Sequence, residues 1–105
     1  MNSFDDRKDA FEKKFAHDEE LRFKASARRN KLLGLWAAEK NGLSGAAADA
    51  YAQDVVKADF EEAGDEDVFR KLRKDLSVAI ASDQQIRHAM DEMLGMAIAQ
   101  IQAGK

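Results

Sequence analysis

The chain has no cysteine, no proline and only six glycines in 105 residues. Without cysteine there can be no disulfide, no thiolate metal site and no cysteine nucleophile, and the composition suits a reducing compartment. Without proline no helix is interrupted by a missing N–H donor. The apolar runs fall well short of the ~20 residues a membrane span needs. A signal peptide's apolar stretch is also lacking, and acids stand where its basic region would be. The formal net charge of −3 argues against a dedicated nucleic-acid binder. What remains is the composition of one soluble, intracellular, all-helical domain.

Four apolar stripes at helical spacing are present. The first core helix is expected over 16–41, ending at Gly42 as a left-handed residue. Ser44 is placed to cap a second helix over 45–62, rich in alanine and closed by Gly64; Tyr51, Val55 and Ala58 lie on its stripe. Asp65, Glu66 and Asp67 supply acids at the positive end of a third helix over 66–81, whose stripe is Val68, Phe69, Leu72, Leu76, Ala79 and Ile80. Ser82 followed by Gln85 has capping-box spacing and opens a fourth helix over 83–102. Its stripe is Ile86, Met90, Met93, Leu94, Ala97 and Ile101. Short turns make neighbours antiparallel, so the expected architecture is an all-α four-helix bundle over 16–105.

The first fifteen residues read differently. Phe4, Phe11 and Phe15 fall within roughly 40° of one another on a helical wheel. Leu21, Ala25, Leu32, Leu35 and Trp36 make a second stripe, rotated by roughly 85° from the first. One straight helix does not pack both against one core. Residues 1–15 are therefore expected to form a mobile arm, disordered or frayed when free, because so short an amphipathic helix is marginal in water. The competing reading bends the chain near His17 and folds the three rings over an open edge of the bundle.

Charge is segregated. Arg22, Lys24, Arg28, Arg29 and Lys31 form a basic run without an acid, and the segment from Asp59 to Asp67 holds six acids without a base. Arg28 lies between Ala25 and Leu32 on the apolar stripe, so it is expected to be half-buried and paired with a carboxylate of that acidic segment. His88 and Glu92 have the spacing of a surface i,i+4 pair. They do not make a metal site, since bundle di-metal centres repeat Glu-x-x-His on two helices and add further glutamates. Gly42-Leu-Ser-Gly45 lacks the lysine of a phosphate loop. No catalytic constellation, metal or cofactor is expected, and the chain does not read as an enzyme.

The runs Phe4-Asp5-Asp6-Arg7, Lys14-Phe15-Ala16, Phe23-Lys24 and Ala27-Arg28-Arg29-Asn30-Lys31-Leu32-Leu33-Gly34-Leu35-Trp36-Ala37-Ala38 resemble the zeta subunit of the alphaproteobacterial F-type ATP synthase, a natural inhibitor of ATP hydrolysis. The turn Gly64-Asp65-Glu66-Asp67-Val68 extends the resemblance over essentially the whole chain. It implies a four-helix bundle whose N-terminal arm enters a catalytic interface of the synthase head and blocks hydrolytic rotation. Phe11 departs from the family pattern, which has a smaller or more polar residue there, so the weight falls on Phe4 and Phe15. The implied contact residues are Phe4, Asp5, Asp6, Arg7, Lys8, Phe11, Lys14 and Phe15. The implied partner is the catalytic head, its alpha, beta and gamma subunits, with no nucleic acid and no direct membrane insertion. A free monomer in the cytoplasm, peripheral to the inner membrane through the synthase, completes the expectation. A small helical adaptor or nucleic-acid-associated bundle, using the basic run, is the alternative.

Overall fold

The computed structural model describes residues 19–59 and 65–104. Four helices follow in order: α1 Glu19–Lys40, α2 Gly45–Ala58, α3 Glu66–Asp75 and α4 Asp83–Gln102. There is no strand among the described residues, so the all-α four-helix reading stands. The expected arm, residues 16–18 at the head of the first helix and Gly64 lie outside the described residues.

Helix ends follow local chemistry. After α1 the chain turns through Gly42 at φ 79°, while the Leu43 N–H returns to the Ala38 carbonyl at 2.8 Å; this left-handed turn favours glycine. Ser44 sits at the N-cap of α2 in extended conformation, without a side-chain cap bond. At the start of α4 the capping box is complete: the Gln85 N–H donates to Ser82 Oγ at 3.1 Å, and the Ser82 N–H donates to Gln85 Oε1 at 2.8 Å.

Two ends differ from expectation. Helix α2 stops at Ala58, with Asp59 at its C-cap, four residues before the expected end at Glu62. Acids are unfavourable at the negative end of a helix dipole, and Asp59 stands at that end, followed in the sequence by Glu61 and Glu62. Helix α3 stops at Asp75 rather than at 81, because Leu76 is extended at φ −104° and ψ 126°. Arg73 closes this end: its Nη2 donates to the Leu76 carbonyl at 2.7 Å and to the Ala81 carbonyl at 2.8 Å. Its Nη1 meets Asp83 Oδ1 at 2.7 Å. The chain between makes a separate turn, with the N–H groups of Ile80 and Ala81 donating to the Ser77 carbonyl. Leu76 and Ala81 point inward, leaving Ala79, Val78 and Ile80 exposed.

The main core joins Leu33 and Ala37 of α1, Val55 of α2, Val68 and Leu72 of α3, and Ile86, Ala89 and Met90 of α4, with Leu76 and Ala81 from the connection. A smaller cluster at the other end packs Ala25 against Ile98, flanked by Leu21, Leu94 and Ile101. Fully burying a residue such as Leu33 contributes roughly 1.5–3 kcal/mol.

Helix α1 is central, packing mainly on α2 and α4, and its buried face is not the expected one. Ala25, Arg29, Asn30, Leu33, Gly34, Ala37 and Ala38 are buried, whereas Leu21, Leu32, Leu35 and Trp36 are half-buried at its flanks. Small residues fill the centre because α2 comes close: a Cβ on Gly34 would stand 2.6 Å from Ala52 Cα. On the same wheel arithmetic the buried face lies roughly 50° from the Phe4–Phe11–Phe15 direction, on its other side. The angular gap is smaller than the large apolar residues suggest, so the wheel alone does not set the arm apart from the core.

Candidate functional site

The expected contact residues Phe4, Asp5, Asp6, Arg7, Lys8, Phe11, Lys14 and Phe15 lie outside the described residues. Helix α1, into which that segment leads, is described from Glu19 onward. Arg28 is half-buried on it, as expected. The guanidinium that is fully buried is the next one, Arg29, at 3% exposure. Arg29 Nη1 lies 3.0 Å from Asp65 Oδ1. Its Nε and Nη2 donate to Asn30 Oδ1 at 3.0 and 2.8 Å. The acidic turn ahead of α3 is thereby tied to α1. Part of the acidic segment expected to meet Arg28, residues 60–64, lies outside the described residues.

The basic run on α1 lines one side of an open hollow of about 670 Å³. Phe23, Lys24, Arg28 and Lys31 meet Val56 of α2 and Ile101 of α4 there. Lys24 also reaches Glu20 at 3.3 Å, one turn earlier on the exposed face. The sequence shows the charges of this run and Phe23 beside them, but not that the ring is 58% exposed. An aromatic inside a basic run was the available signal.

A second hollow lies at the far end of α1, between Trp36, Lys40, Ile80, His88, Ala89 and Met93. Lys40 Nζ stands 5.7 Å from the Trp36 ring centre, a cation–π contact. His88 and Glu92 form the expected surface pair, with Nε2 3.3 Å from Oε2 and both side chains exposed.

The remaining polar groups lace helices together. The Tyr51 hydroxyl donates to Asp75 Oδ2 at 2.8 Å, and Lys71 Nζ shares that oxygen at 3.0 Å. Burial, and then the hydrogen bond and charge of Asp75, push the Tyr51 phenol well above its ordinary range. Arg87 stacks over Phe69 at 3.8 Å and reaches Glu66 at 3.1 Å. Arg70 pairs with Asp67 within the first turns of α3. Each of these charged side chains meets a partner in the fold, as structural ion pairs require, while the second carboxylate oxygen of Asp67, Oδ2, is buried without a hydrogen bond. Among the described residues no three His, Asp or Glu side chains cluster to hold a metal ion, and no helix is long and apolar enough to cross a membrane.

Comparison with known proteins decides what the geometry leaves open. The family profile described as ATPase inhibitor subunit zeta matches residues 1–100. The chain belongs to the ATPase inhibitor subunit zeta family. A solution NMR structure is similar at 49% identity and a TM-score of 0.74, covering 81% of this chain and 99% of that one. The comparison with curated proteins gives no match. Family membership assigns the protein a regulatory, ATPase-inhibiting role, and the match runs through the first fifteen residues as well as the bundle.

Proposed function

We propose that this protein inhibits ATP hydrolysis by an F-type ATP synthase, with residues 1–15 as the inhibitory element and the bundle over 16–105 as its anchor. The observation that carries the reading is the family match from residue 1 to residue 100. The partner is the catalytic head, formed by the alpha, beta and gamma subunits. The arm enters a catalytic interface there and blocks rotation in the hydrolytic direction. The protein is a monomer when free and works in the cytoplasm, peripheral to the inner membrane through the synthase.

The arm's residues suit helix-in-groove recognition. Phe4, Phe11 and Phe15 bury their rings in an apolar groove, while Asp5, Asp6, Arg7, Lys8 and Lys14 fix the pose by charge. Burying each ring contributes roughly 1.5–3 kcal/mol, and ordering the segment costs ~2–5 kcal/mol or more. The surplus is a few kcal/mol, so the rings alone bind weakly and the charged contacts matter. Arg28 is structural, its half-buried guanidinium paired with an acid of the segment from Asp59 to Asp67 and holding together the bundle that anchors the arm.

Titrating the purified synthase head with the full chain, while following ATP hydrolysis, tests this directly. Inhibition that saturates with the added chain is expected, and Phe4→Ala or Phe15→Ala should weaken it without changing the helicity of the bundle. Replacing Asp5, Asp6 and Arg7 by alanine should raise the inhibition constant by misplacing the helix. A head that hydrolyses ATP at an unchanged rate under excess chain would remove the reading.

A further inference from the structure

We propose that the Asn41–Gly42 step is a modification site, at which the Asn41 side-chain amide closes onto the Gly42 nitrogen and is converted to aspartate or isoaspartate. The inference goes beyond the inhibitory reading and does not rest on it. Asn41 is exposed in the turn after α1, and Gly42 follows it at φ 79°. Glycine has no Cβ, so its nitrogen is open to attack on the side chain before it. The other two asparagines differ. Asn2 and Asn30 are followed by Ser3 and Lys31, whose Cβ atoms crowd the nitrogen. Asn30 is also only 1% exposed, with Oδ1 held by Arg29.

The step needs only water and hydroxide. Hydroxide removes the Gly42 N–H proton and becomes water. The Gly42 nitrogen then bonds to Asn41 Cγ, and the side-chain nitrogen leaves as ammonia, taking a proton from water and returning the hydroxide. One water opens the cyclic imide that results. Attack at Cγ leaves aspartate, whereas attack at the Asn41 main-chain carbonyl carbon routes the chain through Cγ and leaves isoaspartate. Amide and water thus become acid and ammonia, and nothing is oxidised or reduced. The fold holds both reacting groups. The Gly42 N–H, whose proton must leave, donates to the Glu39 carbonyl at 3.0 Å. Asn41 Nδ2 donates to the Asp75 carbonyl at 3.0 Å, which keeps the amide against the end of α3. The reaction is therefore confined to moments when this corner opens.

The site joins two helices, so its conversion reaches the fold. Asp75 is the last residue of α3, and the final carbonyls of a helix have no partner inside it. Asn41 supplies that partner from 34 residues away. An aspartate there has no N–H to give. It also sets a negative charge at the negative end of α1, beside a residue whose carboxylate already holds Tyr51 and Lys71. Isoaspartate inserts an extra main-chain carbon as well, so the N–H groups of Gly42 and Leu43 lose register with the Glu39 and Ala38 carbonyls. Either product unlatches the turn after α1 from the end of α3.

The test incubates the full chain at mildly alkaline pH, folded and in unfolding guanidinium chloride, and maps its peptides by mass spectrometry. In guanidinium chloride Asn41 should convert ahead of Asn2, Asn30 and every glutamine. In the folded chain Asn41 should convert at least about tenfold more slowly, the ratio that two hydrogen bonds of ordinary net strength impose. Gly42→Ala should react more slowly than the natural sequence when both are unfolded, because its Cβ crowds the nitrogen. Asn41→Asp, made directly, should lower the thermal midpoint by a few degrees. Conversion elsewhere first, an Asn41 that stays intact when unfolded, or a Gly42→Ala chain that reacts as fast would overturn the site. Equal rates in the folded and unfolded chain would overturn its control by the fold, and an unchanged midpoint for Asn41→Asp would overturn the latch.

Discussion

Replacing Arg29 separates two effects that its position joins. Breaking a fully buried ion pair costs about 3–5 kcal/mol because one charge is left stranded away from water. Here the partner is not stranded, since the Asp65 side chain is 59% exposed and that of Arg29 only 4%. Removing Arg29 therefore loses, on the Asp65 side, only the ~0–1 kcal/mol of a solvent-screened pair. The larger loss lies with Asn30, which is 1% exposed and receives two of the guanidinium's N–H bonds. A buried acceptor left unsatisfied costs ~1–3 kcal/mol, and the packing of the arginine stem is lost as well. Arg29→Ala should then cost ~2–4 kcal/mol; Asp65→Asn keeps an acceptor at Nη1 but leaves the buried guanidinium without its counter-charge, so it should cost more than the ~0–1 kcal/mol of a screened surface pair. For a domain of this size each kcal/mol moves the midpoint by roughly 4–8 °C, so thermal unfolding followed by circular dichroism reads both. Arg29→Met, which keeps the stem, should cost less than Arg29→Ala. If Arg29→Ala is neutral, the assignment of the energy to the buried Arg29–Asn30 contact is refuted.

Three other substitutions follow from particular contacts. Gly34→Ala gains about 1 kcal/mol of helix propensity but sets a methyl 2.6 Å from Ala52 Cα, and overpacking of this kind costs about 1–3 kcal/mol. Net destabilisation is expected in urea unfolding, unrelieved by Ala52→Gly because the closest atom is backbone; a more stable Gly34→Ala would contradict the close approach. Ser82→Ala removes the capping box of α4 and should cost ~0.5–2 kcal/mol, read from the same urea midpoint. Tyr51 is the only tyrosine, and its folded value is raised above the ordinary 10.0. Its share of stability is therefore present below pH 10 and lost as pH climbs toward the folded value, since the unfolded phenol ionises first. Tyr51→Phe should remove that alkaline loss, and tyrosinate absorbance of the native protein should rise later than that of the unfolded chain.

The sequence was most legible where one local interaction sets the boundary. Ser82 and Gln85 cap each other through bonds three residues apart, so the start of α4 at Asp83 follows from spacing alone. The positive φ of Gly42 is legible for the same reason. The end of α3 was not, because it is set by Arg73 reaching carbonyls three and eight residues away, which no periodicity records. Leu76, Ala79 and Ile80 keep a helical repeat that the chain abandons after Asp75. The buried face of α1 was misread in a related way. Hydropathy weighs Leu32, Leu35 and Trp36, whereas close packing on α2 places Gly34, Ala37 and Ala38 at the centre and admits Arg29 and Asn30 through their mutual bonds. Two adjacent arginines lie about 100° apart on a helix, so the stripe of large apolar residues passes through Arg28 while the buried face takes Arg29. Of the candidate site, the basic run was legible as charge. Its hollow was not, because Val56 and Ile101 come from helices far away in sequence.

Deleting residues 1–15 and measuring both the thermal transition and ATP hydrolysis by the synthase head tests the central claim most directly. The account predicts a transition nearly unchanged from that of the full chain, together with abolished inhibition. A truncated protein that inhibits as well as the full chain, or that unfolds several degrees earlier, would contradict it: the first ring-bearing turns would then belong to the fold, and inhibition to another surface.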